Sequence, residues 1–302
     1  NWHGIQSGWD IKRMLGTVPV EEDGSVIFKA PANTPISIQP LDKDGVAIQW
    51  MRSWVTGQPG EVVSCIGCHE DQNQIAIPKR VIASQKAPSA LTLPEGGTRS
   101  FTFDLEVQPI LDRACIACHN GEGKAFDLRG GKKDKLGYGT SYLNLHPYVH
   151  RQGGEGDMVV LQPYEYHPNT SELVRLLKKG HHNVKLTDKE WKTLYNWIDY
   201  NAPDKGYFNA NVLTDLPYKG FDQIKRRKEL TDKYANGAGV DWKKEIADYA
   251  DYLKKQGPIT PVMPEKAAPV KEKTLKVKGW PFGADPVSYT HLRAHETLAN
   301  LV

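Results

Sequence analysis

Long apolar runs are missing from this chain: nowhere do its 302 residues approach the roughly 20 consecutive apolar residues that a membrane-spanning helix needs. It has no charged-then-apolar leader of the kind that opens a secreted precursor, and it starts at Asn1 without a methionine. Its first residues already read as domain interior, so a natural N-terminus is expected to be missing. Charge of one sign is also lacking. Lys and Arg total 39 against 36 Asp and Glu, and the interspersed signs argue against a basic nucleic-acid face or an acidic binding tail. Cysteine is scarce, with four residues in all. The length suffices for two compact domains, each with its own core.

All four cysteines fall into two pairs, each followed by a histidine: Cys65-Ile66-Gly67-Cys68-His69 and Cys115-Ile116-Ala117-Cys118-His119. Two thiols separated by two residues can add across the two vinyl groups of one haem, and the adjoining histidine then lies beneath the iron as its proximal ligand. A zinc site would set the pairs about 15 to 20 residues apart, whereas 46 residues separate Cys68 from Cys115. A thioredoxin-like dithiol needs a strand-to-helix context that neither pair has, and neither of these readings explains a histidine at the same offset in both pairs. A pair of disulfides fits less well than haem. The motifs therefore predict two covalently bound haem c groups, on Cys65, Cys68 and His69 and on Cys115, Cys118 and His119. Because c-type haem is attached outside the cytoplasm, the protein is expected to be periplasmic or otherwise exported.

Around these sites the expected fold class is α+β. From Leu15 to about Trp54 short β-rich runs alternate with the turns Glu21-Glu22-Asp23-Gly24 and Asp42-Lys43-Asp44-Gly45, which argues for a small antiparallel sandwich or half-barrel. This β-rich domain, 1–90, carries the first motif, and a polar stretch from Pro78 to Thr98 leads to a mainly helical domain, 91–214, with the second. There Asp104 to Arg113 reads as a short helix, with Pro109 making its start uncertain, and Ser171 to Lys179 as another, with Gly180 as its C-terminal cap. The clearest helix runs from Thr187 to about Tyr200, with Thr187 and Glu190 as a capping box and Trp191, Leu194, Tyr195 and Ile198 on one face. Two helices, a haem motif after the first and a returning loop outline a small cytochrome c domain. Residues 215–256 read as a helical extension striped by Trp242, Ile246, Tyr249 and Leu253, a packing or docking helix. The Pro, Lys, Ala and Val bias from Gly257 to Lys278 reads as a linker. Asn169-Thr170-Ser171 matches a glycosylation acceptor but is better explained by helix capping, and the glycine-rich stretches at 121–123 and 153–156 read as plain loops.

Residues 257–286 are expected to hold that linker and the stub of a further domain. From Val287 onward, Val287-Ser288-Tyr289-Thr290-His291-Leu292-Arg293-Ala294-His295-Glu296-Thr297 resembles translated sequencing adapter, as in a metagenomic gene fragment that ran into its adapter. Residues 287–302 are therefore expected to form no part of the fold or its sites, and His291 and His295 are not ligand candidates.

A family resemblance becomes specific on several runs taken together. Leu15 to Ser25, Pro31-Ala32-Asn33-Thr34-Pro35, Met51-Arg52-Ser53 and Pro59-Gly60-Glu61 leading to Cys65 resemble the middle domain of hydrazine synthase alpha subunits and their relatives. Val107 to Leu111, Cys115 to His119, Leu128-Arg129-Gly130, Lys179-Gly180-His181-His182 and Trp197 to Pro203 resemble their C-terminal domain, a pattern shared with planctomycete cytochromes. The resemblance covers Leu15 to Tyr207. It implies a β-propeller upstream, and Gly279-Trp280-Pro281-Phe282 is similar to the lead-in to a further domain in some relatives.

In the family's synthases, a tyrosine four residues after the first motif's histidine coordinates the iron of the catalytic haem. Here that position is Asn73, which argues against hydrazine synthesis by the same route and for His69 as an ordinary proximal ligand. Met51 is a candidate for the sixth position, against a plain core role. The family's C-terminal haem has two histidine ligands, which implies His119 as proximal and His181, just past Gly180, as distal. His182 is the close rival of His181; His146, His150 and His167 are more distant ones. Two imidazoles generally give a potential below that of a His/Met pair, which suits electron relay. The expected function is a dihaem cytochrome exchanging electrons with a redox partner protein or an attached redox domain, with no nucleic-acid partner. The alternatives are a haem oxidoreductase with an open site at the first haem, acting on a small substrate, and a structural module serving an attached enzyme domain.

Overall fold

The capping box expected at Thr187 is present: its hydroxyl accepts from the Glu190 N–H and the Glu190 carboxylate accepts from the Thr187 N–H. The helix it starts, α5, spans Asp188–Asp199 and buries Leu194, Tyr195, Trp197 and Ile198. A computed structural model of the chain describes residues 12–51, 53–67, 80–123, 125–135, 137–151, 162–206, 223–234 and 241–265, all within one compact unit, 1–266. In chain order the elements are β1 (Arg13–Met14), β2 (Arg99–Ser100), α1 (Phe103–Glu106), α2 (Gln108–Ala114), α3 (Thr140–Leu145), α4 (Glu172–Lys178), α5, α6 (Gln223–Tyr234) and α7 (Trp242–Lys255).

Helix and strand are both present, as expected of a mixed fold, but the β component is smaller than the turn pattern suggested. Among the described residues the sheet is two-stranded, with Arg13 opposite Ser100 and Met14 opposite Arg99. The sandwich expected from Leu15 to Trp54 is replaced by isolated bridges, Thr17 to Thr92, Phe28 to Ser89, Ile36 to Val55 and Leu41 to Ala47. Two physical causes account for this. Pro19, Pro31, Pro35 and Pro40 remove ladder donors along the stretch. Side chains also take bonds that a ladder would use: Asp23 accepts from the Ile82 N–H at 2.9 Å and Ser25 from the Ala83 N–H at 3.0 Å. Gly16 shows how close the Thr17 bridge is, since a Cβ there would stand 2.6 Å from the Thr92 carbonyl oxygen.

The single helix expected from Asp104 to Arg113 is two, broken at Val107, with Pro109 in the first turn of α2, where a missing N–H costs nothing. The core gathers Phe101, Phe103, Val107, Ile110, Leu111, Tyr142, Val174, Leu194, Trp197 and Ile198, and Val46 joins it from the N-terminal stretch. Phe103 sits 5.3 Å from both the Tyr142 and the Trp197 rings. The polar ends of these rings are satisfied as burial requires: Tyr142 donates to the Ala202 carbonyl and Trp197 to the Pro203 carbonyl, each at 3.0 Å.

The extension forms two helices, α6 and α7. α7 docks as the stripe suggested, through Tyr249, which is buried and donates to Glu106 Oε2 at 2.9 Å while the Arg99 guanidinium lies 3.5 Å over its ring. Arg99 and Glu106 form a buried ion pair, and Arg13 pairs with Glu245. Ser171 does precede α4, but its hydroxyl accepts from the His150 N–H at 3.0 Å and makes no cap bond. No described helix is long and apolar enough to cross a membrane.

Candidate haem centres

The second motif is the continuation of α2. The Cys115 and Ile116 N–H groups both reach back to the Leu111 carbonyl, at 2.8 and 3.0 Å, and those of Cys118 and His119 to the Cys115 carbonyl, at 3.1 and 2.9 Å. The helix therefore ends in one tight turn that contains both thiols and the histidine. Cys115 and Cys118 are free; burial pushes the Cys115 thiol up to about 12, outweighing the nearby Arg113, so it stays protonated at neutral pH.

His119 is held from two directions by one residue. Its Nδ1 lies 3.0 Å from the Phe126 carbonyl oxygen and its ring centre 4.8 Å from the Phe126 ring. A carbonyl can only accept, so Nδ1 carries a hydrogen and Nε2 is the nitrogen left for a metal, the arrangement that commonly orients a metal-ligating imidazole.

The His181 ring centre stands 6.1 Å from that of His119. It is placed by the end of α4, where Gly180 takes the left-handed φ of 88° that a helix stop favours. The strained positive φ angles of His182 and Asn183, 43° and 62°, follow at once, and non-glycine residues hold such angles only where the surroundings impose them. Burial, then the imidazoles of His182 and His119, keep the His181 pKa below its usual value, which favours the neutral ring a metal binds. His182 is exposed and meets His181 edge-on at 4.6 Å.

The more distant candidates, His146, His150 and His167, are engaged elsewhere. His150 lies 2.8 Å from the Thr170 hydroxyl through Nδ1 and on the Tyr166 ring. His167 is buried, accepting from the Asn169 N–H and facing Asp42, and His146 accepts from Arg151. Arg113, which sequence reasoning passed over, links the two sides of the site: its guanidinium pairs with Glu190 and donates to the Lys185 carbonyl at 3.0 Å, on the loop that follows His181. Neither this link nor the Phe126 carbonyl leaves any sign in the sequence, because a backbone carbonyl has no letter of its own.

At the first motif Cys65, Ile66 and Gly67 are described, and the Cys65 thiol is exposed and free. Cys68, His69 and Asn73 lie outside the described residues, as do 153–156, 279–282 and 287–302. Met51 is half-buried, with its Sδ accepting from the Ile38 N–H at 3.5 Å. Among the described residues no three His, Cys, Asp or Glu side chains gather as a cage for a metal ion; an iron already held in a porphyrin needs only axial ligands.

Residues 3–70 match the family model described as hydrazine synthase alpha subunit middle domain. The matched stretch takes in Cys65, Cys68 and His69 and ends before the second motif. No curated protein and no solved structure matches the chain.

Proposed function

We propose that the chain is a dihaem c-type cytochrome, related to hydrazine synthase alpha subunits, that passes electrons between its two haems and a redox partner in the periplasm or another exported location. The observation that carries this reading is the pair His119 and His181, with ring centres 6.1 Å apart and ring planes tilted by 40°. Two metal–imidazole bonds of about 2 Å, each with about 1 Å from nitrogen to ring centre, span about 6 Å, so the separation of the pair supports an iron between the rings. Residues 91–214 would carry this haem on Cys115 and Cys118, with His119 proximal and His181 distal. Residues 1–90 would carry the other on Cys65, Cys68 and His69, and 287–302 are taken as adapter-derived.

Attached haem supplies reversible one-electron chemistry at a potential set by its axial ligands and its surroundings. The chain's part is to orient and to exclude. The Phe126 carbonyl fixes the His119 ring and its tautomer, and Gly180 stops α4 so that His181 can face it.

Expression with c-type haem maturation machinery tests the reading. Two covalent haems per chain are expected by pyridine haemochrome assay, falling to one in the Cys115→Ala, Cys118→Ala variant. His181→Ala should turn the second haem from low-spin to high-spin. A chain without covalent haem overturns the proposal, and an unchanged low-spin spectrum in His181→Ala moves the distal assignment to His182. Carbon monoxide bound at neither reduced haem agrees with electron transfer; binding at one favours an oxidoreductase.

A further inference from the structure

The segment after α7, expected as linker, is fastened at one informative point. The Val262 N–H donates to the Arg113 carbonyl at 2.7 Å. Arg113 belongs to the last turn of α2, whose carbonyls have no partner within the helix, and the chain reaches Cys115 two residues later. Its side chain holds the other side of the site, through Glu190 and the Lys185 carbonyl. The segment is thus anchored where the wall bearing His119 meets the wall bearing His181. Pro258, Pro261 and Pro264 recur every third residue, which disfavours helix and suits an extended, PPII-like course whose N–H groups are free to bond elsewhere. Between them Ile259, Val262 and Met263 stand open to solvent, Met263 at 66 %. Three exposed apolar side chains thus fall together in one short segment.

We propose that residues 258–264 form a strap that closes the edge of the second haem crevice on the Cys115 side, with Ile259, Val262 and Met263 packing on the haem edge and keeping water from it. The inference rests on the haem reading of Cys115, Cys118 and His119. A porphyrin edge is apolar and matches these side chains. Excluding water disfavours the more charged ferric state, so the strap raises the midpoint potential without touching either axial ligand.

The test uses the full chain carrying Cys65→Ala and Cys68→Ala, so that one haem is observed. Val262→Pro removes the N–H that fastens the strap, and a second variant replaces residues 258–264 with a Gly-Ser segment of equal length. Spectroelectrochemical titration should show the midpoint potential shifted downward in both. Reduction by a small soluble reductant should be several-fold faster, with the low-spin spectrum unchanged. An unchanged potential and rate in the Gly-Ser variant overturns the strap while leaving the haem reading intact. Absence of covalent haem on Cys115 and Cys118 in the parent chain overturns both. Loss of a sulfur-to-iron charge-transfer band in Met263→Ala overturns the covering role in favour of ligation.

Discussion

Around Cys65 the chain is open to solvent, with Val62 88 % and Ile66 68 % exposed. Around Cys115 the same motif type closes a helix whose Ile110, Leu111 and Ala114 are buried, and its histidine is anchored by Phe126. The difference lies in what precedes each motif. A hydrogen-bonded helix seated in a core delivers Cys115 at a defined angle, whereas Cys65 follows a stretch held by single bridges and side-chain bonds. In the second region the motif continues an already packed helix, and in the first the apolar side chains of Val62, Val63 and Ile66 stand open to solvent.

The largest expected contrast is in stability. Trp197 is fully buried, packs on Phe103 and donates to Pro203, so Trp197→Ala should cost about 3–5 kcal/mol. Trp54, 52 % exposed in the first region, should change stability by less than about 0.5 kcal/mol on the same substitution. Denaturant melts of both variants measure the contrast, and equal losses would break it.

How much of this was legible in the sequence follows the same division. The start of α5 was written in Thr187 and Glu190 and the stop of α4 in Gly180, because caps are local and the residues that make them are few. The nomination of His119 together with His181 came from family resemblance, and their ring centres stand 6.1 Å apart. The bridge from Thr17 to Thr92 joins residues far apart in the chain, and no local pattern names such a partner. The turns at 21–24 and 42–45 were real; what they connected was not a ladder. The strap was hidden because Pro-rich composition describes stiffness and says nothing about a single N–H reaching α2.

The two regions meet at Asp199, and here pH becomes the probe. Asp199 is 3 % exposed; its carboxylate accepts from the Ala47 N–H at 2.9 Å, and its carbonyl accepts from Gln39 at 2.9 Å. Burial, reinforced by nearby Asp42, raises its pKa to about 7, against the lowering effect of Ala47 and Trp50. The unfolded chain releases this proton near pH 4 and the folded one near 7, so the native state binds more protons in between. Asp199 therefore makes stability fall as pH rises across that window, by up to roughly 4 kcal/mol at about 1.4 kcal/mol per unit. Asp199→Asn, whose amide oxygen can still accept from Ala47, should flatten this slope relative to the parent in melts from pH 4 to 8. A parent slope retained in the variant would place the titration elsewhere, with buried Asp204, also raised to about 7 by burial, as the next group to replace.

The smallest effects separate the regions by reach rather than by size. Thr187→Ala removes a cap bond whose partner is three residues away, and Ser25→Ala removes the acceptor for the Ala83 N–H, 58 residues away. Each should cost about 1 kcal/mol. Hydrogen exchange tells them apart. Thr187→Ala should quicken exchange at the first turn of α5, because the remaining helix is still fastened by its buried face. Ser25→Ala should quicken exchange at Ala83, and at Ile82, whose N–H rests on the Asp23 carboxylate that Ser25 also bonds. In a region without a ladder each side-chain bond carries a long-range contact, so its loss is felt at both ends of the loop it closed. Exchange confined to the vicinity of Ser25 would mean that 80–92 is held by packing, and the first region would then be closer in kind to the second than its bonding suggests.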